Sequence, residues 1–135
     1  MSGKEAYQAL VDNYYNGMYH GDPELIRKAF HPEARLQGIM ASKFFAGMTR
    51  ESFCKFVTLM PKPADKKDKR DCSFEVLDQT GDQAVLKITD YIFGVWFTDY
   101  LSLLKTPEGW RVLNKTYYSD KLPEAPDAAK KLLTV

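Results

Sequence analysis

The chain of 135 residues has the length of one domain, and its 44% of hydrophobic residues can bury a core without metal or disulfide cross-links. A formal net charge of +1 argues against nucleic acid as a partner, because phosphate binding needs a concentrated basic surface. Two cysteines, no leader-like N-terminus and no apolar run of about 18 residues predict a reduced, cytoplasmic protein that spans no membrane.

Three helices are predicted in the N-terminal half, and the first two lie close together in sequence. Apolar side chains recur every three or four positions from Tyr7 to Met18, which indicates one buried helical face. This helix should end near His20. Asp22 can then cap the second helix, and Pro23 suits its first turn.

A strand, the third helix and a charged loop follow. Residues 33–40 partly alternate between apolar and polar side chains, as a strand does. Thr49 can cap the third helix, whose apolar face runs from Phe53 to Met60. Residues 61–71 contain five basic and three acidic side chains and are predicted to form a solvated, mobile loop, with a patch for an anionic partner as the weaker alternative.

The C-terminal half has the pattern of antiparallel strands joined by turns. Alternation over residues 72–77 and 84–89 predicts two strands, and Gly94 marks a bend, bulge or turn in the long run that follows. Residues 110–118 form the last predicted strand. Helices followed by strands indicate an α+β fold rather than an alternating parallel one.

We expect a single domain over residues 1–120 and a C-terminal tail over residues 121–135. The tail either forms a short helix or stays loose. Its apolar residues Leu132, Leu133 and Val135 would allow it to fold back over the domain.

Three segments together resemble a known family. They are residues 14–22 (YYNGMYHGD) with residues 29–34 (AFHPEA), residues 98–105 (TDYLSLLK) and residues 109–115 (GWRVLNK). Over residues 4–119 their order and spacing are similar to the NTF2-like superfamily, and within it to the family called "putative lumazine-binding". The resemblance implies a ketosteroid-isomerase-like cone, in which three N-terminal helices pack on a curved antiparallel sheet around a pocket, and dimers formed through the sheet. Relatives include isomerases, cyclases, dehydratases and binding proteins, so no activity follows from the fold.

Three residues are candidates for catalysis. Tyr14 lies seven residues before Gly21, which resembles the placement of the oxyanion-binding tyrosine in ketosteroid isomerases, but it could equally be a core tyrosine. His31 could act as an acid or base, or could cap the second helix. Asp99 lies in an apolar strand, where a buried carboxylate must be paired, hydrogen-bonded or protonated, and Lys115 is its candidate partner.

Two further positions qualify these candidates. The argument made for Asp99 also applies to Asp90, with less force. The resemblance places the carboxylate base of ketosteroid isomerases near Gly38, which has no carboxylate, so steroid isomerisation is disfavoured. Two distant histidines predict no metal site, and no cofactor is predicted. The side chains expected to bind a ligand are Met18, Phe30, Phe56, Trp96, Leu101, Lys115 and Tyr117.

Three functions fit these residues. The first is a homodimeric protein that binds a small, mostly apolar or heteroaromatic molecule. The alternatives are an acid–base enzyme that uses Asp99 or His31 with Tyr14, and a dimeric interaction module whose cone is filled by its own side chains. Convergence of Tyr14, His31 and Asp99 on one empty point would favour the enzyme, and an open pocket with these groups facing apart would favour binding.

Overall fold

The computed structural model describes residues 3–133 and has an α+β fold, as the sequence predicted. Four helices and six strands lie within this range. In chain order they are α1 (Gly3–His20), α2 (Pro23–Ala29), β1 (Phe30–Met40), β2 (Lys43–Thr49), α3 (Arg50–Leu59), β3 (Asp71–Thr80), β4 (Gln83–Ile92), β5 (Val95–Thr106), β6 (Gly109–Ser119) and α4 (Asp127–Leu133).

The predicted helix boundaries rest on local signals that the structure confirms. α1 ends at His20, and the Asp22 carboxylate accepts the backbone N–H of Glu24 at the start of α2. The Thr49 hydroxyl accepts the backbone N–H of Ser52 at the start of α3. Each cap satisfies a donor that the first turn of a helix leaves free, so the breaks between helices are encoded in the sequence next to them.

The six strands form one curved sheet in the order β2-β1-β6-β5-β4-β3. The predicted antiparallel pairing of the C-terminal strands is confirmed for β3 to β6. One pair differs, because β1 runs parallel to β6. Side-chain alternation identifies a strand but carries no information on the direction of a distant neighbour, so the sequence alone could not give this pairing.

Strand β2 was not predicted, because the turn before it lacks the usual residues. Ala41 and Ser42 join β1 to β2 and both adopt positive φ angles, 50° and 65°. Hairpin turns of this kind normally contain Asn or Gly, which tolerate that conformation. The turn between β4 and β5, at Phe93 and Gly94, has such a glycine, with φ angles of 56° and 81°.

The charged loop after α3 is mostly exposed, as predicted, and part of it packs against α1. The backbone N–H of Ala64 donates to the carbonyl of Tyr19, and the Tyr19 hydroxyl donates to the carbonyl of Asp68. The guanidinium of Arg70 lies 4.3 Å from the centre of the Tyr19 ring. A cation over an aromatic face is attracted to it, so the loop's charges hold it to the domain.

The C-terminal tail folds back onto the domain. Its helix α4 packs against α3 and β2, and Ala129 and Leu133 are buried there. The tail therefore forms the short helix that was one of its two predicted states. Leu132 packs against the core, and Val135 lies outside the described residues.

Candidate functional site: a cavity between the helices and the sheet

A cavity lies between α1, α3, the inner face of the sheet and the tail. It encloses about 530 Å³ of empty space, part of which is open to solvent. The centres of water molecules can occupy about 40 Å³ of it, which is room for a few waters. Its wall is mostly apolar and is formed by Tyr14, Met18, Leu36, Met40, Met48, Phe53, Phe56, Asp90, Ile92, Phe93, Phe97, Lys115, Tyr117, Pro123, Ala125 and Leu133.

The narrow interior is bounded by side chains that can move. Met18, Met40 and Met48 contribute three thioethers to the wall. Methionine has three rotatable side-chain bonds and adapts its shape at low cost. The width of the cavity therefore depends on the rotamers of these three side chains.

Three ionisable residues form a diagonal row across the inner face of the sheet, which we call the polar row. Asp90 lies on β4, Asp99 on β5 and Lys115 on β6. The cross-strand partner of Asp90 lies two residues before Asp99, and that of Lys115 lies two residues after it. Their exposed fractions are 0%, 1% and 6%, so the row is withdrawn from bulk water.

Asp99 at the centre of the row accepts a hydrogen bond from α1. The Tyr14 hydroxyl donates to Asp99 Oδ2 at 2.6 Å. Within residues 3–133, Asp99 Oδ1 and both oxygens of Asp90 have no donor unless the two carboxyls share a proton. We therefore assign a proton to Asp90, whose hydroxyl then donates a hydrogen bond to Asp99.

The environment of the two carboxyls favours this arrangement. Burial, with a contribution from the Asp99 charge, raises the pKa of Asp90 well above its ordinary value. Burial also raises the pKa of Asp99, but Lys115, Tyr14 and the bond from Asp90 oppose that rise. Of the two carboxyls, Asp90 therefore holds its proton more strongly, which supports the assignment.

Lys115 is surrounded by aromatic rings rather than by close ion-pair partners. Its Nζ lies 4.7 Å from the ring centres of Tyr14 and Phe53 and 5.2 Å from that of Tyr117. None of the ion pairs found between residues 3 and 133 includes it. Burial lowers the pKa of the amine, and the charges of Asp99 and Asp90 oppose this. The predicted pairing with Asp99 thus acts through space and not by direct contact.

Gly38 explains how the sheet accommodates Tyr117. The two residues are partners in the β1–β6 register, and a Cβ at position 38 would lie 2.2 Å from the Tyr117 ring. Only a residue without a side chain allows the ring to lie there. The ring therefore fills the space in which a side chain at position 38 would lie.

The structure brings some of the predicted site residues together and separates others. Tyr14, Met18, Phe56, Lys115 and Tyr117 line the cavity. Phe30 packs behind the wall against Tyr14 and Phe53, and Leu101 is buried beside Lys115 in the register. Tyr14 and Asp99 meet each other. His31 is half-buried and absent from the wall, and its Nδ1 accepts the backbone N–H of Glu33.

Trp96 lies elsewhere, and its prediction as a cavity residue was wrong. It is 45% exposed on the outer face of the sheet, and the ammonium of Lys69 lies over its ring. β5 is apolar on both faces, with Phe97 pointing inward and Trp96 outward, so alternation did not reveal the orientation.

Sequence reasoning gave too little weight to Asp90 and did not name Met40, Met48 or the tail residues Pro123 and Ala125 as parts of the wall. A signal for Asp90 was present, because it has the same parity along β4 as Leu86 and Ile88, which point inward. No local pattern places the tail residues Pro123 and Ala125 at the wall, since their contacts are long-range.

Comparisons with known proteins agree with this architecture. The sequence profile of the family described as "Putative lumazine-binding" matches residues 2–118. An NTF-2 like protein of unknown function from Silicibacter pomeroyi DSS-3 is 23% identical, with a TM-score of 0.72 over 88% of this chain and 99% of that one. An NTF2-like protein of unknown function from Shewanella baltica OS155 is 24% identical, with a TM-score of 0.68 over 88% and 97% of the two chains.

A third similar structure carries a functional name. It is a putative calcium/calmodulin dependent protein kinase II association domain from Xanthomonas campestris, 17% identical, with a TM-score of 0.59 over 93% of this chain and 91% of that one. At these identities the structures show the fold alone. No match was found among curated proteins, and no helix within residues 3–133 is long and apolar enough to cross a membrane. The chain belongs to the "Putative lumazine-binding" family and has an NTF2-like fold.

Proposed function

We propose that the protein binds a small, mostly apolar or heteroaromatic molecule in the cavity. The observation that carries this proposal is the polar row inside an apolar wall. Binding sites for small molecules are typically apolar clefts with a few fixed polar groups that orient the ligand. Lysine and aspartate are rarely buried unless they are paired or used, and here Asp90 and Lys115 line the cavity while Asp99 is buried between them in the register.

The shape of the wall favours a flat ligand. Phe53, Phe56 and Phe97 present aromatic surface to the cavity, and rings stack well on flat apolar molecules. The family description names lumazine, which is itself a flat heteroaromatic compound. Both points support a ring compound, and neither identifies one.

A cavity-filling variant tests this proposal. Met48→Trp adds volume inside the cavity, so we expect it to weaken the binding of quinoline, a flat neutral ring, as measured by isothermal titration calorimetry. A thermal melt checks that the variant is folded. Equal quinoline affinity in the folded variant and the wild type, or no binding to the wild type, would contradict a binding cavity at this place.

The outer face of the sheet supports a second part of the proposal, a homodimer formed through the sheet. Large apolar side chains are exposed there, and we call them the outer patch: Ile39, Phe44, Trp96, Tyr100, Leu104 and Tyr118. Contiguous exposed apolar surface of this kind marks interaction sites. Because the cavity opens on the other face, a second copy bound here would leave ligand access free.

Acid–base catalysis is the second candidate function. It is favoured by the buried pair of Asp90, which lines the cavity, and Asp99, since carboxyls with a raised pKa are typical of catalytic sites. Tyr14 donates to Asp99 and so would act through it, while His31 is remote. On any substrate found, Asp99→Asn and Tyr14→Phe should both slow the reaction. Unchanged rates in both would exclude catalysis by these groups.

Two smaller proposals complete the account. The free thiols of Cys54 and Cys72 support a reducing, cytoplasmic location. We also retain residues 1–120 as the domain and residues 121–135 as a tail that closes one side of the cavity, which is supported by the position of Leu133 in the wall.

A further inference from the structure

Asp90 has a feature that the proposed function does not yet use. Its carboxyl is fully buried, lies in the cavity wall and has no donor for either oxygen from residues 3–133. The proton shared with Asp99 accounts for one of these oxygens. The other oxygen of this cavity-lining residue remains an acceptor without a donor from residues 3–133. A buried polar atom left without a partner is costly, so this oxygen calls for a donor from a water or a ligand.

Lys115 is a hydrogen-bond donor that lacks an acceptor. Its ammonium carries N–H groups for which the described part of the chain offers no acceptor, and it lies in the same wall. Aromatic faces attract the cation but do not replace a hydrogen-bond acceptor. The cavity therefore presents one unmatched acceptor and one unmatched donor.

The charges of the polar row favour a ligand without net charge. Lys115 lines the cavity, and Asp99, which carries the opposite charge, is buried beside it and outside the wall. An anion in the cavity would be attracted by Lys115 and repelled by Asp99, and a cation would experience the reverse. The row therefore gives an ion little net attraction to offset the loss of its hydration.

We propose that Asp90 and Lys115 form a polar edge that binds a neutral, flat cyclic amide, in which an N–H group and a carbonyl group lie on one side of the ring. The ligand N–H donates to the free Asp90 oxygen, and Lys115 Nζ donates to the ligand carbonyl. This inference rests on the proposed function, because it requires that the cavity admit a ring, and it assigns the class of ring.

Three ring compounds of similar size test the edge. 2-Quinolone has both the N–H and the carbonyl, N-methyl-2-quinolone keeps only the carbonyl, and quinoline has neither. We expect the wild type to bind 2-quinolone about tenfold or more tightly than the other two, since each loss leaves a buried group unpaired. Calorimetry measures all three on the same protein.

Two substitutions at Asp90 form a matched pair. Asn keeps a donor towards Asp99 and an acceptor towards the cavity, as the protonated carboxyl does, whereas Leu keeps the approximate size and loses both. We expect Asp90→Leu to bind 2-quinolone about tenfold more weakly than the wild type, and Asp90→Asn to bind it several-fold more tightly than Asp90→Leu. Quinoline affinity should not differ between the two variants.

Each outcome decides the matter. Equal affinity of the wild type for 2-quinolone and its N-methyl form overturns the edge, even if Asp90→Leu fails to fold. An equal loss of 2-quinolone affinity in Asp90→Asn and Asp90→Leu also overturns it, because the acceptor for the ligand would then be a charged carboxylate, which Asn does not replace. If either of these results is found and quinoline still binds, the proposed polar edge is wrong but the proposal of a binding cavity is supported. If the wild type binds none of the three, both fail.

Discussion

Removal of the Tyr14 hydroxyl tests the centre of the polar row. In Tyr14→Phe the ring keeps its packing against Phe30 and Phe53, and only the bond of 2.6 Å to Asp99 is lost. Hydrogen bonds to charged groups contribute about 1.5–3 kcal/mol, and Asp99 is almost fully buried. We therefore expect the free energy of unfolding to fall by about 2 kcal/mol.

Equilibrium unfolding in urea measures this change. With a typical slope of about 2 kcal/mol per molar urea, the unfolding midpoint should fall by about 1 M. Tyr118→Phe is the matched control, because its hydroxyl bonds to Asp120 on the surface and the side chain is 53% exposed. That variant should lose less than about 0.5 kcal/mol.

A double-mutant cycle shows whether the bond is the cause. In an Asp99→Asn background the charged acceptor is gone, so Tyr14→Phe should cost markedly less than in the wild type. If Tyr14→Phe costs no more than Tyr118→Phe, or if its cost is unchanged by Asp99→Asn, then Tyr14 does not stabilise a charged Asp99 and the proton assignment is wrong.

Three other predictions concern pH, the outer patch and the sheet. The pKa of Asp90 is raised on folding, so above a pH of about 4 the folded chain binds more protons than the unfolded chain. The free energy of unfolding of the wild type should therefore fall as the pH rises, by up to about 1.4 kcal/mol per pH unit, until the pH passes the folded pKa. Asp90→Asn should fall less steeply between pH 4 and 8 in urea titrations, and parallel curves would contradict the raised pKa. Phe44→Glu replaces an outer-patch side chain that is 74% exposed with a charged one, so it should shift a dimer towards monomer in analytical ultracentrifugation. The control Glu75→Gln, on edge strand β3, should leave the dimer unchanged. If Phe44→Glu also leaves the dimer unchanged, the interface lies elsewhere. Gly38→Ala forces a Cβ into the Tyr117 ring and should lower the free energy of unfolding by about 1–3 kcal/mol. In the control Gly81→Ala the new Cβ meets no neighbouring atom, and only the positive φ is unfavourable, so the loss of stability should be smaller. An equal loss in both variants would show that the Tyr117 ring moves freely.

Local chemistry made the helices and the C-terminal strands predictable. Asp22 and Thr49 cap helices through contacts with residues two or three positions away, which a sequence displays directly. Asp99 was identifiable because a carboxylate among apolar neighbours must be paired or protonated. The parts that could not be predicted depend on contacts between distant residues, such as the parallel pairing of β1 with β6 and the tail in the cavity wall.

The misplacement of Trp96 has its origin in a strand that is apolar on both faces. Along β5, Trp96 and Phe97 are equally hydrophobic, so the inward face cannot be read from alternation. The outer patch places hydrophobic residues on the exposed face of the sheet. Both faces of β5 are then apolar, and the difference in polarity from which a strand's orientation is predicted is lost. In such a strand a charged residue marks the orientation better, since Asp99 and Phe97 share the inner face.

Methyl NMR of the methionines tests most directly whether this cavity binds a small molecule. The chain has five methionines, of which Met18, Met40 and Met48 line the cavity, while Met60 is buried outside its wall. We predict that 2-quinolone, titrated into ¹³C-methyl-methionine-labelled protein, shifts the three cavity methyl signals to saturation and leaves the Met60 signal in place. Unchanged signals for Met18, Met40 and Met48 at saturating 2-quinolone and quinoline would contradict the account.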